Sequence, residues 1–232
     1  FSAADHAFKS KYMTGPLLDI DGVNPLSTGD GQRMGVAVGG EVINGDLAWG
    51  PEIRFLAPPR PSIISKLPTW KGLGKLILLA MKILPDAIMR PFLLGFVTTF
   101  LAPSHLLFDK GAILVNASGD RFCDERDRPQ DHIGSQEGKV AWIIFSSEVA
   151  DQFRSYPNFI STAPGVGYAD LTDYEKTRPD VVHKAATVEA LAESIGVPSN
   201  ALVGAVDAFH VSRAAGDDRA AMMHPPFYAL GP

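Results

Sequence analysis

Apolar positions recur along this chain at two different spacings. Val188, Leu191 and Ile195 repeat at helical intervals, and Leu202, Val206 and Phe209 repeat them after the interruption Gly196-Val197-Pro198. That pattern predicts two helices, the second capped by Ser199 or Asn200. Val140 to Phe145 is an unbroken apolar run of strand length, so a buried strand is expected there. Ala112 to Val115 reads as another strand, followed by a turn over Asn116 to Gly119 and a return through Arg121 and Phe122. Ala7, Phe8, Lys11 and Tyr12 suggest a short helix that ends at Met13-Thr14-Gly15-Pro16. Pro225 to Ala229 reads as extended. Residues 156–180 are rich in Gly, Pro and polar side chains and are expected to be a loop. Helices mixed with a small sheet make the expected class α+β.

The most apolar stretch covers residues 63–108. Lys75, Lys82, Asp86 and Arg90 interrupt it, and at about 100° per residue they fall in a narrow stripe that leaves a broad apolar face. Pro85 and Pro91 should break it into shorter helices. No charge-free, proline-free run approaches the roughly 20 residues a bilayer span needs. Two readings fit: a buried helical hairpin, or an element over 73–108 that faces a substrate entrance or a membrane surface.

Composition narrows the chemistry. The chain has 232 residues and a formal net charge of −5. That charge, with no basic run, argues against a nucleic-acid partner. Cys123 is the only cysteine, which excludes an internal disulfide framework or a cysteine-cluster metal site, and no metal is expected. The reading of compartment is cytoplasmic, with peripheral membrane contact as the alternative. The N-terminus has no signal-peptide pattern.

Leu26-Ser27-Thr28-Gly29-Asp30-Gly31-Gln32-Arg33-Met34 runs from a loop into a helix. Ser27, Thr28 and Asp30 are good cap residues, and the glycines permit angles and approaches that a Cβ would block. Met34, Ala37 and Val38 share one face, while Gly35 and Gly39 share another. Such a helix start suits a phosphate or a cofactor edge, and equally a capped surface helix. Glu125 and Arg128, three apart, could share a turn and pass a proton through a hydrogen bond. The charge-dense run Asp124 to Asp131 would also suit a solvated face. Tyr168, Tyr174 and His183 could each act as an acid, but nothing local selects one.

The Thr28-Gly29-Asp30-Gly31 turn, taken with Gly111-Ala112-Ile113-Leu114-Val115-Asn116 and Gly119-Asp120-Arg121-Phe122-Cys123-Asp124-Glu125, resembles the fumarate reductase/succinate dehydrogenase flavoprotein superfamily. Thr187-Val188-Glu189-Ala190-Leu191-Ala192 and Pro226-Phe227-Tyr228-Ala229 extend the resemblance. With Trp49-Gly50-Pro51 they lean towards the branch of 3-ketosteroid Δ1-dehydrogenases. The resemblance implies that Thr28, Gly29, Asp30 and Gly31 contact FAD, and that Glu125 and Arg128 match a proton-delivery pair of fumarate-reducing relatives. Those relatives place a substrate histidine where this chain has Pro51 and Glu52, which argues against a dicarboxylate. After the strand ending at Phe145, relatives carry an arginine or tyrosine as acid/base. Val149, Ala150 and Phe153 stand there instead, so Arg154 and Tyr156 are the nearest substitutes.

The resemblance also implies an internal piece of a longer flavoprotein, because no strand followed by G-x-G-x-x-G is present. Residues 1–50 would be a remnant of the FAD-binding domain, 51–228 a cap that shapes the substrate pocket, and 229–232 the start of a return to the FAD domain. The expected parent is an FAD-dependent oxidoreductase acting on a carbon–carbon bond beside a carbonyl, with an apolar or steroid-like substrate. The runner-up is fumarate-type reduction, and a non-catalytic binding cap is a third reading. The partners implied are the small-molecule substrate and the remainder of the FAD-binding domain. The isolated chain is expected to hold FAD poorly and to be inactive.

Overall fold

The structure is a computed structural model that describes residues 4–19, 24, 26–47, 52–56, 58, 70–84, 90, 94–95, 97–99, 101–163 and 167–232. Its centre is an antiparallel sheet of four strands. In chain order these are β1 (Ile113–Asn116), β2 (Ala141–Phe145), β5 (Val182–Ala185) and β6 (Phe227–Leu230), arranged β1-β2-β6-β5. The pleat sorts side chains onto two faces. Ile113, Val115, Trp142, Ile144, Phe227 and Ala229 point to one. Leu114, Ile143, Phe145, Tyr228 and Leu230 point to the other. The register agrees, since Ile144 pairs with Ala229 and Phe145 with Tyr228. Both faces are covered, which is why β2 reads as a continuous apolar run and not as an alternation.

The first face is covered by α8 (Val188–Ile195) and α9 (Ser199–Ala214), through Leu191, Leu202, Val206 and Phe209. Thr187 caps α8 by accepting the Ala190 N–H at 3.1 Å, and left-handed Gly196 ends it. The cap position of α9 is Pro198, so Ser199 is already helical and makes no side-chain cap; the expectation for Ser199 or Asn200 is corrected. The second face packs on α4 (Leu106–Lys110), α6 (Ser147–Gln152) and α7 (Leu171–Thr177), through Leu107, Phe108, Val149, Phe153, Leu171 and Tyr174. A short helix, α5 (Gln130–Ile133), lies between β1 and β2.

The loop expected over 156–180 is instead a small hairpin, β3 (Ser161–Ala163) with β4 (Gly167–Ala169), followed by α7. The signal was Asp170-Leu171-Thr172-Asp173. Asp170 accepts the Asp173 N–H at 2.9 Å and Asp173 accepts the Asp170 N–H at 3.1 Å, a reciprocal capping box. β5 was also missed, because Val-His-Lys-Ala shows no periodicity and becomes a strand only by pairing with β6. β6 itself runs unbroken from Phe227 to Leu230, across the expected division at 228/229.

The N-terminal part holds α1 (His6–Lys9), a 3-10 turn over Gly15–Asp19, and α2 (Asp30–Ala37). Within the apolar stretch, α3 (Lys71–Ile83) is helical, and Leu94 and Val97 are buried. Pro85 and Pro91, where breaks were expected, and Asp86 of the charged stripe lie outside the described residues, as do Trp49, Gly50 and Pro51 with the expected 50/51 boundary. Among the described residues no helix is long and apolar enough to cross a membrane.

Buried Arg178 ties distant segments together. Its guanidinium donates to the carbonyls of Leu56 at 2.6 Å and Thr98 at 3.0 Å, and pairs with Asp180 at 2.9 Å. The Leu56 N–H donates to the Pro232 carbonyl at 3.0 Å, so residues 52–56 run beside the C-terminal residues.

Candidate active site

The turn before α2 is held from below. Gly29 is buried with φ 84°, a conformation that favours glycine. The Thr28 hydroxyl donates to Asp30 at 3.0 Å. Arg33 pairs with Asp5, the residue whose carboxylate caps α1, and its guanidinium lies 5.0 Å from the Phe8 ring centroid. No side chain caps the first turn of α2, and a Cβ built on Gly31 would meet nothing within 4 Å. The helix buries none of its residues, and Met34, Val36 and Val38 are exposed. Thr28 to Gly31 therefore present an open helix start with an acidic side chain beside it. Free amides can take an oxyanion and the carboxylate can accept from a hydroxyl, so the residues fit a dinucleotide cofactor edge.

Glu125 lies under β1, fully buried. Its Oε1 accepts from the Leu114 N–H at 3.2 Å and from Arg121 Nε at 2.8 Å. Its Oε2 accepts from Arg121 Nη2 at 2.8 Å and from Arg219 Nη1 at 3.2 Å. Arg219, itself buried, also pairs with Asp217 at 2.6 Å and stacks over Phe209. That guanidinium holds the Asp217 carboxyl down at about 2. Next to this cluster, burial pushes the Cys123 thiol up to about 12, so it is not a nucleophile at neutral pH.

The hairpin positions Glu125 much as the residue pattern suggests: Gly119 turns with φ 83°, and Arg121 bridges back to Val115. Its arginine partners, however, are Arg121 and Arg219. Arg128 lies on the surface with its guanidinium on Asp131 at 2.6 Å. The solvated-face reading thus fits Arg128 and not Glu125. Arg121 was legible as the i,i+4 partner in Arg121-Phe122-Cys123-Asp124-Glu125; Arg219, 94 residues away, was not.

Val149, Ala150 and Phe153 are buried and apolar. Arg154, just beyond, meets Glu175 at 2.9 and 3.0 Å and Tyr228 Oη at 2.8 Å. The hydrogen-bonded Glu175 carboxylate pushes the pKa of Arg154 further above its usual value. Tyr228 stacks on Phe145 with ring centroids 5.5 Å apart. Tyr156 is 84% exposed and apart from this cluster, over Phe159. Tyr174 is buried against the Ser161 hydroxyl at 2.6 Å, and burial raises its phenol to about 12. Tyr168 stands half-exposed under Arg90, and burial lowers the pKa of His183. The structure therefore separates the four nominated catalytic residues: Glu125 inside, Arg154 beside Tyr228, Arg128 and Tyr156 on the surface. Among the described residues no group of three or more His, Cys, Asp or Glu side chains could hold a metal.

No family model matches the chain. A protein of Shewanella frigidimarina (strain NCIMB 400) described as a probable fumarate reductase, Ifc3, is 30% identical over 131 residues, 52% of this chain and 19% of that protein. This chain thus spans about a fifth of the length of the curated relative it matches. The crystal structure of 3-ketosteroid Δ1-dehydrogenase from Sterolibacterium denitrificans, in complex with 1,4-androstadiene-3,17-dione, matches 99% of this chain and 39% of its own with a TM-score of 0.55 at 16% identity. An open flavocytochrome c3 fumarate reductase matches 55% of this chain and 22% of its own, with a TM-score of 0.41 at 28% identity. The relatives and structural neighbours are fumarate reductase flavoproteins and 3-ketosteroid dehydrogenases, over part of the chain. The α+β fold is shared with the Δ1-dehydrogenase.

Proposed function

We propose that this chain is the cap portion, with part of the cofactor edge, of a flavoprotein of the fumarate reductase/steroid dehydrogenase type. The parent dehydrogenates or reduces a carbon–carbon bond beside a carbonyl, on an apolar, steroid-like substrate. One observation carries the substrate class. Arg121, Arg128, Arg154 and Arg219 each end on a carboxylate of this same chain, so none of them offers an unpaired guanidinium to a dianionic substrate. Pro51 and Glu52 stand where the resemblance places the substrate histidine of fumarate-reducing relatives, and Glu52 is taken up by Arg54 at 2.8 Å, so neither offers a cation to a dicarboxylate.

Thr28 to Gly31 would hold FAD, which supplies the hydride exchange when bound. The remaining task of this chain is the proton. Arg154 donates to Tyr228 Oη, and because a guanidinium only donates, the Tyr228 proton points away from it. Tyr228 Oη is therefore the atom we assign to give or receive the proton, with Arg154 orienting it. Glu125, held between Arg121 and Arg219, is the group the runner-up chemistry would use for the proton. The fumarate-type reading keeps its place because of the 30% identity to the Shewanella protein.

The test is the full-length parent, purified and reduced anaerobically with a saturated 3-ketosteroid and with succinate in parallel. Flavin bands that bleach with the steroid alone bear the proposal out, and Tyr228→Phe then slows bleaching without releasing flavin. Bleaching with succinate alone moves the assignment to fumarate-type chemistry and to Glu125. Absence of flavin sinks the enzyme reading and leaves a binding cap.

A further inference from the structure

Helix α3 carries a surface that no catalytic role uses. Between residues 70 and 84 the sequence has three lysines, Lys71, Lys75 and Lys82, and no acidic residue, in a chain whose net charge is −5. Leu76, Leu79 and Ile83 are 52–69% exposed, and Trp70, directly before the helix, is exposed as well. At about 100° per residue Leu76, Leu79 and Ile83 fall in one sector about 60° wide, Lys75 and Lys82 lie about 20° apart along its flank, and exposed Leu78 lies on the far side of the lysines. Both of these lysines are exposed. An apolar stripe bordered by cations and preceded by a tryptophan is the arrangement that seats a helix in a membrane interface, apolar side in the acyl boundary and ammonium groups among the headgroups.

We infer that α3 docks this protein on an anionic lipid surface. Charge chooses this occupant: anionic headgroups meet Lys75 and Lys82 directly, and residues 70–84 carry no acidic side chain to repel them. The helix is too short to span, so the contact is peripheral and reversible. The inference does not depend on which substrate the flavoprotein uses.

The test is flotation of the full-length parent with phosphatidylcholine vesicles and with vesicles that also contain phosphatidylglycerol. Binding to the phosphatidylglycerol vesicles alone, weakened by added salt, is the expected result. Lys75→Gln with Lys82→Gln should lower the vesicle partition coefficient on the order of thirtyfold. Leu79→Glu with Ile83→Glu should abolish binding while flavin content and solution activity stay unchanged. Three results overturn the proposal: no flotation with either vesicle, equal flotation of the Leu79/Ile83 variant, or a dimer that this variant dissociates. Loss of flavin in that variant would also overturn it, since the face would then be covered within the parent itself.

Discussion

Glu125 receives four hydrogen bonds from three stretches of chain: β1 at Leu114, the hairpin return at Arg121, and the segment before β6 at Arg219. A buried carboxylate saturated in this way binds the hairpin to the sheet whatever else it does. Glu125→Gln removes the negative partner of two guanidiniums and should cost about 3–5 kcal/mol in chemical denaturation. An unchanged midpoint would instead leave Glu125 a purely chemical role. Asp217 gives the cluster a pH signature. Its folded pKa of about 2 lies below the unfolded value near 3.8, so its contribution is complete above about pH 4 and is lost as pH falls towards 2. Asp217→Asn should flatten the acid side of the stability profile between those limits.

At the scale of elements, α7 shows how caps decide a boundary. The helix is seven residues long and follows a strand of three, so neither would persist on propensity alone. The reciprocal hydrogen bonds of Asp170 and Asp173 fix its first turn, and the face carrying Leu171 and Tyr174 then enters the core. Asp170→Ala should lower stability by about 1 kcal/mol, read as a shift in the urea midpoint. Asp173 is doubly committed, because Arg90 also reaches it at 2.5 Å; it couples this cap to the segment that follows α3.

For the whole molecule, Arg178 joins the 52–56 segment at Leu56, the helical residues 97–99 at Thr98 and the loop before β5. With one long side chain serving two backbone carbonyls, Arg178→Met should leave the buried Thr98 carbonyl without a donor and release the Leu56 carbonyl from the core. Limited proteolysis of this variant should give new cleavage between residues 56 and 98 while the sheet and α8–α9 resist. Uniform degradation of the whole chain would show that the arginine secures the entire fold.

Several features were settled by the sequence alone. The periods of α8 and α9, the apolar run of β2 and the turn at Asn116 to Gly119 are local signals, and local sterics and burial enforce them. The Thr28 to Gly31 turn was legible for the same reason, since only glycine adopts the φ found at Gly29 at little cost. Tertiary structure decided the rest. β5 is a strand because β6 offers it hydrogen bonds. Arg219 reaches Glu125 across 94 residues, and Tyr228 meets Arg154 across 74. Whether a charged side chain is a surface ornament or part of a buried cluster depends on what the fold brings against it. Arg128 and Glu125, three residues apart, end in opposite environments because the backbone turns at Arg128, with φ 48°, and carries one outward while the other stays under the sheet.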